Sequence, residues 1–278
     1  MIDIHSIARV SRQKHRKRER ALRPVRPSRK SEAQYRAKLL SLVAVLQKQA
    51  IDELGPVLKQ LEPGYAKDAD GWGEQLKSVF SRLAAMSANV ATWAVKQANA
   101  VATTVLGDVD TRLTGSIKQS LKVDITGMLV KEGAIRDAMG VAVKANVDLI
   151  TSIPEQFLEK VEQAVLEAMS EGLRHEEIIE EIQRIGGVTE SRAKLIARDQ
   201  VGKLNSDFNR VRQTDLGIEE YTWSTAGDER VRDEHADLDG QTFRWDDPPP
   251  DGHPGEAIQC RCVATPIFKL DEPPNETI

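Results

Sequence analysis

The sequence predicts an α+β protein in which helices predominate. Apolar residues recur at intervals of three and four along most of the first two thirds of the chain, which is typical of amphipathic helices. The same part is dominated by Ala, Leu, Glu, Lys and Gln, which are compatible with helices. After Gly217 the pattern changes to short alternating runs rich in β-formers. We therefore expect long N-terminal helices followed by a helical C-terminal module with a small antiparallel sheet.

Composition limits the class of protein. The chain has 278 residues, enough for one large domain or two ordinary ones, and its 40% hydrophobic and 29% charged content is typical of a globular protein. No apolar run approaches the roughly 20 residues that span a membrane, and the N-terminus lacks the apolar segment of a secretory signal. We expect a soluble protein made in a reducing cytoplasm, where two cysteines do not form a disulfide scaffold.

Residues 1–30 predict a basic, flexible arm. They carry eleven Lys or Arg against two acidic residues, a net charge of +9, while the remainder is −13. Little apolar content and two prolines argue against a packed core. Such an arm would contact nucleic-acid phosphates, dock on an acidic partner, or act only as a solvated tail. Its basic residues are Arg9, Arg12, Lys14, Arg16, Lys17, Arg18, Arg20, Arg23, Arg26, Arg29 and Lys30.

Residues 31–150 predict an extended helical region. A first helix begins near Ser31, and the pairs Gly55-Pro56 and Pro63-Gly64 indicate its end. A second helix is expected over 70–106, where Gly107 would stop it. Residues 108–153 contain four glycines and predict less regular structure up to a boundary at Pro154.

Residues 151–268 predict a separate module, followed by a flexible tail at 269–278. Its helices are expected at 155–171, ending at Gly172, and at about 175–185, followed by a turn at Gly186-Gly187. A third helix is expected from Thr189 as N-cap to Gly217. Three short strands are then expected, with the sequences EEYTWST, GQTFRW and IQCRCVATPIF.

The C-terminal stretch has the most specific pattern of the chain. It reads YTWSTAGDERVRDEHADLDGQTFRW, followed by PPPDGHPGEAIQCRCVATP. An aromatic residue precedes an Asp-x-Arg-x-Arg core with a His, and an Asp-Gly turn, a Pro-rich loop and Cys-Arg-Cys follow. The pattern is formed by Trp223, Asp228, Arg230, Arg232, His235, Asp239, Gly240, Pro254, Gly255, Cys260, Arg261 and Cys262.

This pattern resembles the phage Mu F-like minor head protein, or head morphogenesis, family over about residues 145–268. The resemblance implies a structural minor capsid protein of a tailed bacteriophage, bound to the portal and acting in head assembly and in DNA packaging or exit. It also implies a place at the portal vertex of the virion after synthesis in the host bacterial cytoplasm. Portal protein, major capsid protein and packaged DNA are the partners expected, with no membrane, and several copies would surround the portal ring.

The two cysteines leave three readings open. Thiolates with imidazole favour zinc in a tetrahedral structural site, and Cys260, Cys262, His235 and His253 would be its four ligands. Cys-x-Cys is tighter than the usual ligand spacing, and residues alternating along a strand would equally place both thiols in a core. Redox chemistry is the third reading.

An enzymatic role is not expected. Carboxylates beside a histidine do acid–base work, so a metal-dependent hydrolase or nuclease using Asp228 and His235 is one alternative. The other reading of these residues is an ion-paired network that fixes a loop, with bidentate Arg–carboxylate bonds. A DNA-binding protein ejected with the genome is a further alternative. Trp223 and Trp245 are expected to form the small core of the module.

Overall fold

The computed structural model describes residues 19–61, 69–129 and 133–269. Helices dominate these ranges and a small antiparallel sheet accompanies them, so the predicted α+β class is confirmed. The long helices are α1 (Arg29–Leu61), α2 (Ala69–Ala88), α3 (Val90–Leu121), α4 (Gly133–Ser170) and α5 (His175–Asp215). The strands are β1 (Glu19–Ala21), β2 (Glu220–Ser224), β3 (Thr242–Arg244) and β4 (Val263–Lys269), with a short helix α6 (Asp233–Asp237) between β2 and β3.

Two prolines that were expected to mark helix boundaries lie inside helices. Pro56 lies within α1 and Pro154 within α4. Leu54 and Leu58 around Pro56 are fully buried, as are Ile153 and Phe157 around Pro154. Most helical stability in proteins comes from packing of the apolar face, and that packing outweighs the hydrogen bond that each proline removes.

Three glycines that were expected to mark a helix end or a turn also lie inside helices. Gly107 lies within α3, and residues 108–153, expected to be irregular, are largely helical. Gly186-Gly187 lies within α5. Thr189 is no N-cap because it also lies inside this helix, where its hydroxyl donates to the carbonyl of Ile185 at 2.9 Å. A Cβ at Gly186 would lie 2.4 Å from Gln47 Oε1, so this glycine leaves room for the end of the Gln47 side chain of α1.

Two predicted helix ends are confirmed. Gly172 has a φ of +74° and follows α4, where the N–H of Leu173 donates to the carbonyl of Ala168 at 2.9 Å. Gly217 has a φ of +75° and follows α5, where the N–H of Ile218 donates to the carbonyl of Gln213 at 2.9 Å. These bonds satisfy carbonyls that a helix end leaves without partners.

The described residues form two compact units. The first comprises described residues among 1–31, 101–142 and 199–278, and the second comprises those among 32–100 and 143–198. This division differs from the predicted boundary at residue 150, because α3, α4 and α5 each contribute residues to both units. The predicted tail lies outside the described residues except for Lys269.

The sheet belongs to the first unit and has the strand order β1-β4-β2-β3, with all pairs antiparallel. Tyr221 pairs with Pro266 and Trp223 with Ala264 across β2 and β4. Because side chains alternate along a strand, Tyr221 and Trp223 share one face, where both are fully buried. The expected strands EEYTWST and GQTFRW are confirmed as β2 and β3.

The predicted flexible arm is wrong for residues 19–30. Strand β1 pairs with β4, and Leu22 and Val25 are buried. Asn205 Nδ2 donates to the carbonyl of Val25 at 2.8 Å, and the N–H of Arg23 donates to Ser116 Oγ at 2.6 Å. Strand pairing, hydrogen bonds and two buried apolar side chains together anchor this part of the basic run. The arm residues Arg9, Arg12, Lys14, Arg16, Lys17 and Arg18 lie outside the described residues.

None of the helices in the described ranges has the length and apolar content needed to cross a membrane.

Candidate functional site

The turn after β2 is fixed by the predicted Asp-Gly pair. Asp239 Oδ1 accepts a hydrogen bond from the N–H of Thr225 at 2.7 Å. Gly240 has a φ of +79°, and its N–H donates to the carbonyl of Trp223 at 2.9 Å. The pair closes the loop back onto the strand from which it leaves, which is a structural role.

The residues of the Asp-x-Arg-x-Arg core also form hydrogen bonds within their own module. Both carboxylate oxygens of Asp228 accept hydrogen bonds from the guanidinium of Arg261, and Asp228 Oδ1 also accepts from the N–H of Arg230 at 3.1 Å. The hydrogen bonds from Arg261 lower the pKa of Asp228 to about 2. Arg232 donates to the carbonyl of Ile258 at 2.7 Å. The loop-fixing reading of this core therefore fits the geometry.

The Pro-Gly pair brings the long loop onto α5. Ser206 Oγ donates to the carbonyl of Pro254. Gly255 has a φ of +95°, and a Cβ there would lie 2.7 Å from the Cβ of Ser206. Only glycine fits both the backbone conformation and the space.

One histidine and both cysteines meet in a cluster. Nδ1 of His235, on α6, lies 3.5 Å from Sγ of Cys260 and 3.5 Å from Sγ of Cys262. The three donor atoms all lie within 4.8 Å of one another. His235 and Cys262 are buried and Cys260 is half-buried. In the described part of the chain, this cluster brings together three of the four residues that were expected to bind zinc.

A carboxylate orients the histidine. Nε2 of His235 lies 2.7 Å from Oδ2 of Asp251. Since a carboxylate accepts, Nε2 is the nitrogen that donates its proton to Asp251, and in the tautomer with one proton the lone pair of Nδ1 faces the two sulfur atoms. The His235 ring also meets Trp223 edge-on, with ring centroids 5.1 Å apart.

The two thiols differ in acidity. The pKa of Cys260 is lowered, first by its hydrogen bond with Cys262 and also by the backbone N–H groups of Cys262 and Gly255. The pKa of Cys262 is raised, first by the same bond with Cys260 and then by burial. Cys260 is therefore the sulfur that ionises first in the pair.

His253 does not join this cluster, which corrects its assignment as a fourth ligand. Its Nδ1 lies 2.9 Å from the hydroxyl of Tyr221, and its ring contacts Trp245 with centroids 4.9 Å apart. Burial lowers the pKa of His253. The loop carries it into the aromatic core of the module, two residues beyond the carboxylate that binds His235.

The strand argument for the cysteines also needs correction. Strand β4 begins at Val263, so Cys260 and Cys262 precede it, and both are free thiols. Cys262 packs with Tyr221, Trp223 and Ala264, and Trp245 packs against the same cluster. The expected aromatic core is therefore confirmed. Both sulfur atoms lie at the edge of this core, each 3.5 Å from Nδ1 of His235.

Comparison with known proteins identifies the segment that holds this geometry. Residues 159–265 match the family model of Phage Mu protein F like protein. This chain carries a Mu F-like region. The match begins within α4 and ends within β4, and it includes every motif residue from Trp223 to Cys262.

Two curated relatives of the chain share its sequence in part. An uncharacterized protein of Haemophilus influenzae is 32% identical over 248 residues, which is 87% of this chain and 54% of the relative. An uncharacterized protein of Methanocaldococcus jannaschii is 30% identical over 129 residues, which is 45% of this chain and 19% of that protein. The chain thus spans about half of the first relative and a fifth of the second. No solved structure matches the chain significantly.

Asp228 and His235, the two residues of the hydrolase alternative, have different partners in the Mu F-like region. Asp228 binds Arg261, whereas His235 binds Asp251 and faces the thiols. A carboxylate whose pKa is lowered by a guanidinium is a poor proton donor near neutral pH. The geometry gives no specific support to acid–base chemistry by this pair.

Sequence reasoning missed Asp251 and Tyr221. Asp251 lies in the Pro-rich loop between Pro250 and Gly252, and these neighbours gave no reason to select it over Asp246 or Asp247. Only the folding of that loop against α6 reveals its role. Tyr221 alternates with Trp223 along β2, and that period could have identified it as a core residue.

Proposed function

We propose that this chain is a structural minor capsid protein of a tailed bacteriophage that binds the portal and helps head assembly and DNA packaging or exit at the vertex. The match of residues 159–265 to the Mu F-like family is the observation that carries the proposal. The virion, at the portal vertex, is its place of action after synthesis in the bacterial cytoplasm. The chain acts there without catalysis.

The geometry of the module supports a structural role. Its polar motif residues bind one another or the backbone, as Asp228 binds Arg261, Asp239 binds Thr225, and Arg232 binds Ile258. Side chains engaged in this way fix a surface and leave few polar groups to act on a substrate. A fixed surface suits a protein that docks on another assembly component.

The portal and the major capsid protein are the protein partners in this proposal. A subunit that docks on a cyclic oligomer meets the same surface on every copy of the ring. Several copies of the chain therefore surround one portal ring. The proposal concerns the segment of sequence described, which spans only part of its curated relatives.

Packaged DNA is a third partner, through the basic N-terminal residues. Residues 19–30 are anchored on the first unit, where Arg23, Arg26, Arg29 and Lys30 remain exposed. The basic residues before residue 19 form a separate group of the same arm that can be tested alone. Residues 1–18 contain six Lys or Arg against one Asp, a net charge of +5. Each phosphate that they neutralise would contribute about 0.9 to the slope of log K against log salt concentration.

Co-purification tests portal binding. The tagged chain is expressed with the neighbouring head genes, and its complexes are analysed by native mass spectrometry. A portal ring at a fixed ratio to the chain is expected. Recovery of the chain alone, with portal present in the lysate, would overturn the portal role.

Neutralising the six N-terminal basic residues tests DNA binding. Their replacement by Gln should weaken affinity for duplex DNA and reduce the salt slope, while the circular dichroism spectrum stays unchanged. The matched control replaces six exposed lysines of the second unit by Gln and should leave the slope unaltered. Equal effects of both variants would show that only net charge matters. The control residues are Lys38, Lys59, Lys77, Lys96, Lys144 and Lys160.

A further inference from the structure

We propose that His235 Nδ1, Cys260 Sγ and Cys262 Sγ bind one zinc ion, with Asp251 as the carboxylate that orients His235. The ion would link helix α6 to the segment that leads into β4. The distances carry this inference. Tetrahedral zinc with Zn–S near 2.3 Å and Zn–N near 2.05 Å places neighbouring nitrogen and sulfur ligands about 3.6 Å apart. Both nitrogen–sulfur distances in the cluster are 3.5 Å.

The arrangement of His235 fits a metal ligand. Ligating histidines commonly donate their second N–H to a carboxylate, which fixes the ring and the tautomer. Asp251 accepts that bond at 2.7 Å and directs the lone pair of Nδ1 toward both sulfur atoms. One lone pair accepts a hydrogen bond from one thiol, so two thiols at equal distance from it are better satisfied by a shared cation.

The backbone supplies charge compensation for a thiolate. The N–H of Cys262 donates to Sγ of Cys260 at 3.4 Å. The loop reaches this geometry through Gln259, which has a φ of +59°, and its N–H donates to Asp199 Oδ1 at 2.6 Å. A residue in the left-handed region that is held by a carboxylate of α5 turns the chain so that both sulfur atoms face α6.

The site holds its ligands in a protected place. His235 is 2% exposed and Cys262 is 5% exposed. The Trp223 ring covers His235 from one side. Among the described residues the cluster offers three protein ligands, so a solvent molecule would take the fourth position of the tetrahedron. The role of the ion would be to hold the loop of residues 246–262, in which regular secondary structure is sparse, against the sheet.

Elemental analysis of the full chain, purified under reducing conditions, tests the proposal. One equivalent of zinc per chain is expected, and addition of a chelator should release it while both thiols become reactive to a thiol reagent. The metal-free protein should recover one equivalent of zinc, and cobalt should give the absorption of a tetrahedral site with thiolate ligands. Absence of metal together with no uptake of zinc or cobalt would overturn the proposal and leave two buried thiols. One equivalent of a different metal would overturn the assignment of zinc.

Variants identify the ligands. Cys260→Ser, Cys262→Ser and His235→Gln should each lose the bound zinc. His253→Gln is the matched control. His253 is a buried histidine in the loop that carries both cysteines, but it contacts Tyr221. This variant should keep one equivalent of zinc. Asp251→Asn should keep the site but weaken zinc affinity by about 10- to 100-fold. Loss of zinc in His253→Gln, with the three ligand variants unaffected, would overturn the assignment. The wild-type uptake measurement decides the question even where a ligand variant does not fold.

Discussion

Arg212 of α5 and Asp110 of α3 form a bidentate ion pair, with Nε to Oδ1 at 2.7 Å and Nη2 to Oδ2 at 3.0 Å. The Arg212 side chain is 6% exposed, and its third nitrogen donates to the carbonyl of Leu129 at 3.1 Å. One guanidinium thus joins α5 to two points of the first unit that lie 102 and 83 residues earlier in the sequence. Planar bidentate geometry of this kind is specific to arginine.

Removal of the Asp110 carboxylate should therefore destabilise the first unit strongly. Asp110→Ala leaves the guanidinium buried without its partner, and the expected loss is about 3 kcal/mol in the free energy of unfolding. The loss lies at the low end of the range for buried pairs because Asp110 is partly exposed. Urea denaturation provides the measurement.

An exposed ion pair provides the control for Asp110→Ala. Arg82 and Glu53 form a hydrogen-bonded pair in the second unit, in which the arginine side chain is 52% exposed against 6% for Arg212. Glu53→Ala should cost less than about 1 kcal/mol. Equal costs for the two variants would contradict the role given to Arg212.

Replacement of Gly255 by Ala should destabilise the loop that holds the cluster. The φ of +95° is unfavourable for alanine, and its Cβ would clash with Ser206. The left-handed backbone alone costs about 1–2 kcal/mol, and the clash adds to it. Gly115→Ala, in the exposed interior of α3 with open space around it, should instead stabilise by up to about 1 kcal/mol. Thermal unfolding of both variants checks the opposite signs.

The stability of the module should fall on mild acidification because of His253. Burial lowers its pKa in the folded state below the value near 6.5 of an unfolded chain. The unfolded state therefore binds the proton more tightly, and the contribution of His253 is full above about pH 6.5. It is lost as the pH falls through the folded pKa. We expect His253→Gln to flatten the dependence of the unfolding midpoint on pH between about 7.5 and 5.

A second histidine serves as the control for this pH dependence. His175→Gln, at the start of α5, makes the same change of residue away from the aromatic core and is measured beside His253→Gln. A chelator is present in all samples, so that release of a metal does not contribute. If the unfolding midpoint of His253→Gln depended on pH as strongly as that of the wild type, another group would be responsible for the dependence.

The Asp228–Arg261 pair should contribute little to stability. Both side chains are partly exposed, and solvent screens the attraction between such charges. A double-mutant cycle with Asp228→Asn and Arg261→Gln should therefore give only a small coupling energy. Assembly of heads by both single variants is expected, since the pair fixes a loop and does not act on a substrate. Loss of assembly in Asp228→Asn with a native fold would favour a direct role for the carboxylate.

Part of the candidate site was readable from sequence. Trp223, Asp239, Gly240 and Gly255 were selected by pattern, and each has a local reason to be there: a strand period, a turn or a positive φ. Local signals of this kind depend on residues that are neighbours in the chain. His253 was assigned wrongly because proximity in sequence to Pro254 and the cysteines says nothing about where its side chain lies.

The sequence by itself determined the predominance of helices, strands β2 and β3, the helix ends at Gly172 and Gly217, and the Mu F-like pattern. Periodicity and turn chemistry depend on residues that are neighbours in the chain, so they can be recognised without the tertiary structure. Tertiary structure decided the rest. Packing carried α1 and α4 through Pro56 and Pro154, because burial of flanking apolar residues outweighs one lost hydrogen bond. Only folding brought Asp251 to His235 and both sulfur atoms to Nδ1 of His235. Contacts between residues that are distant in the sequence depend on the path of the whole chain.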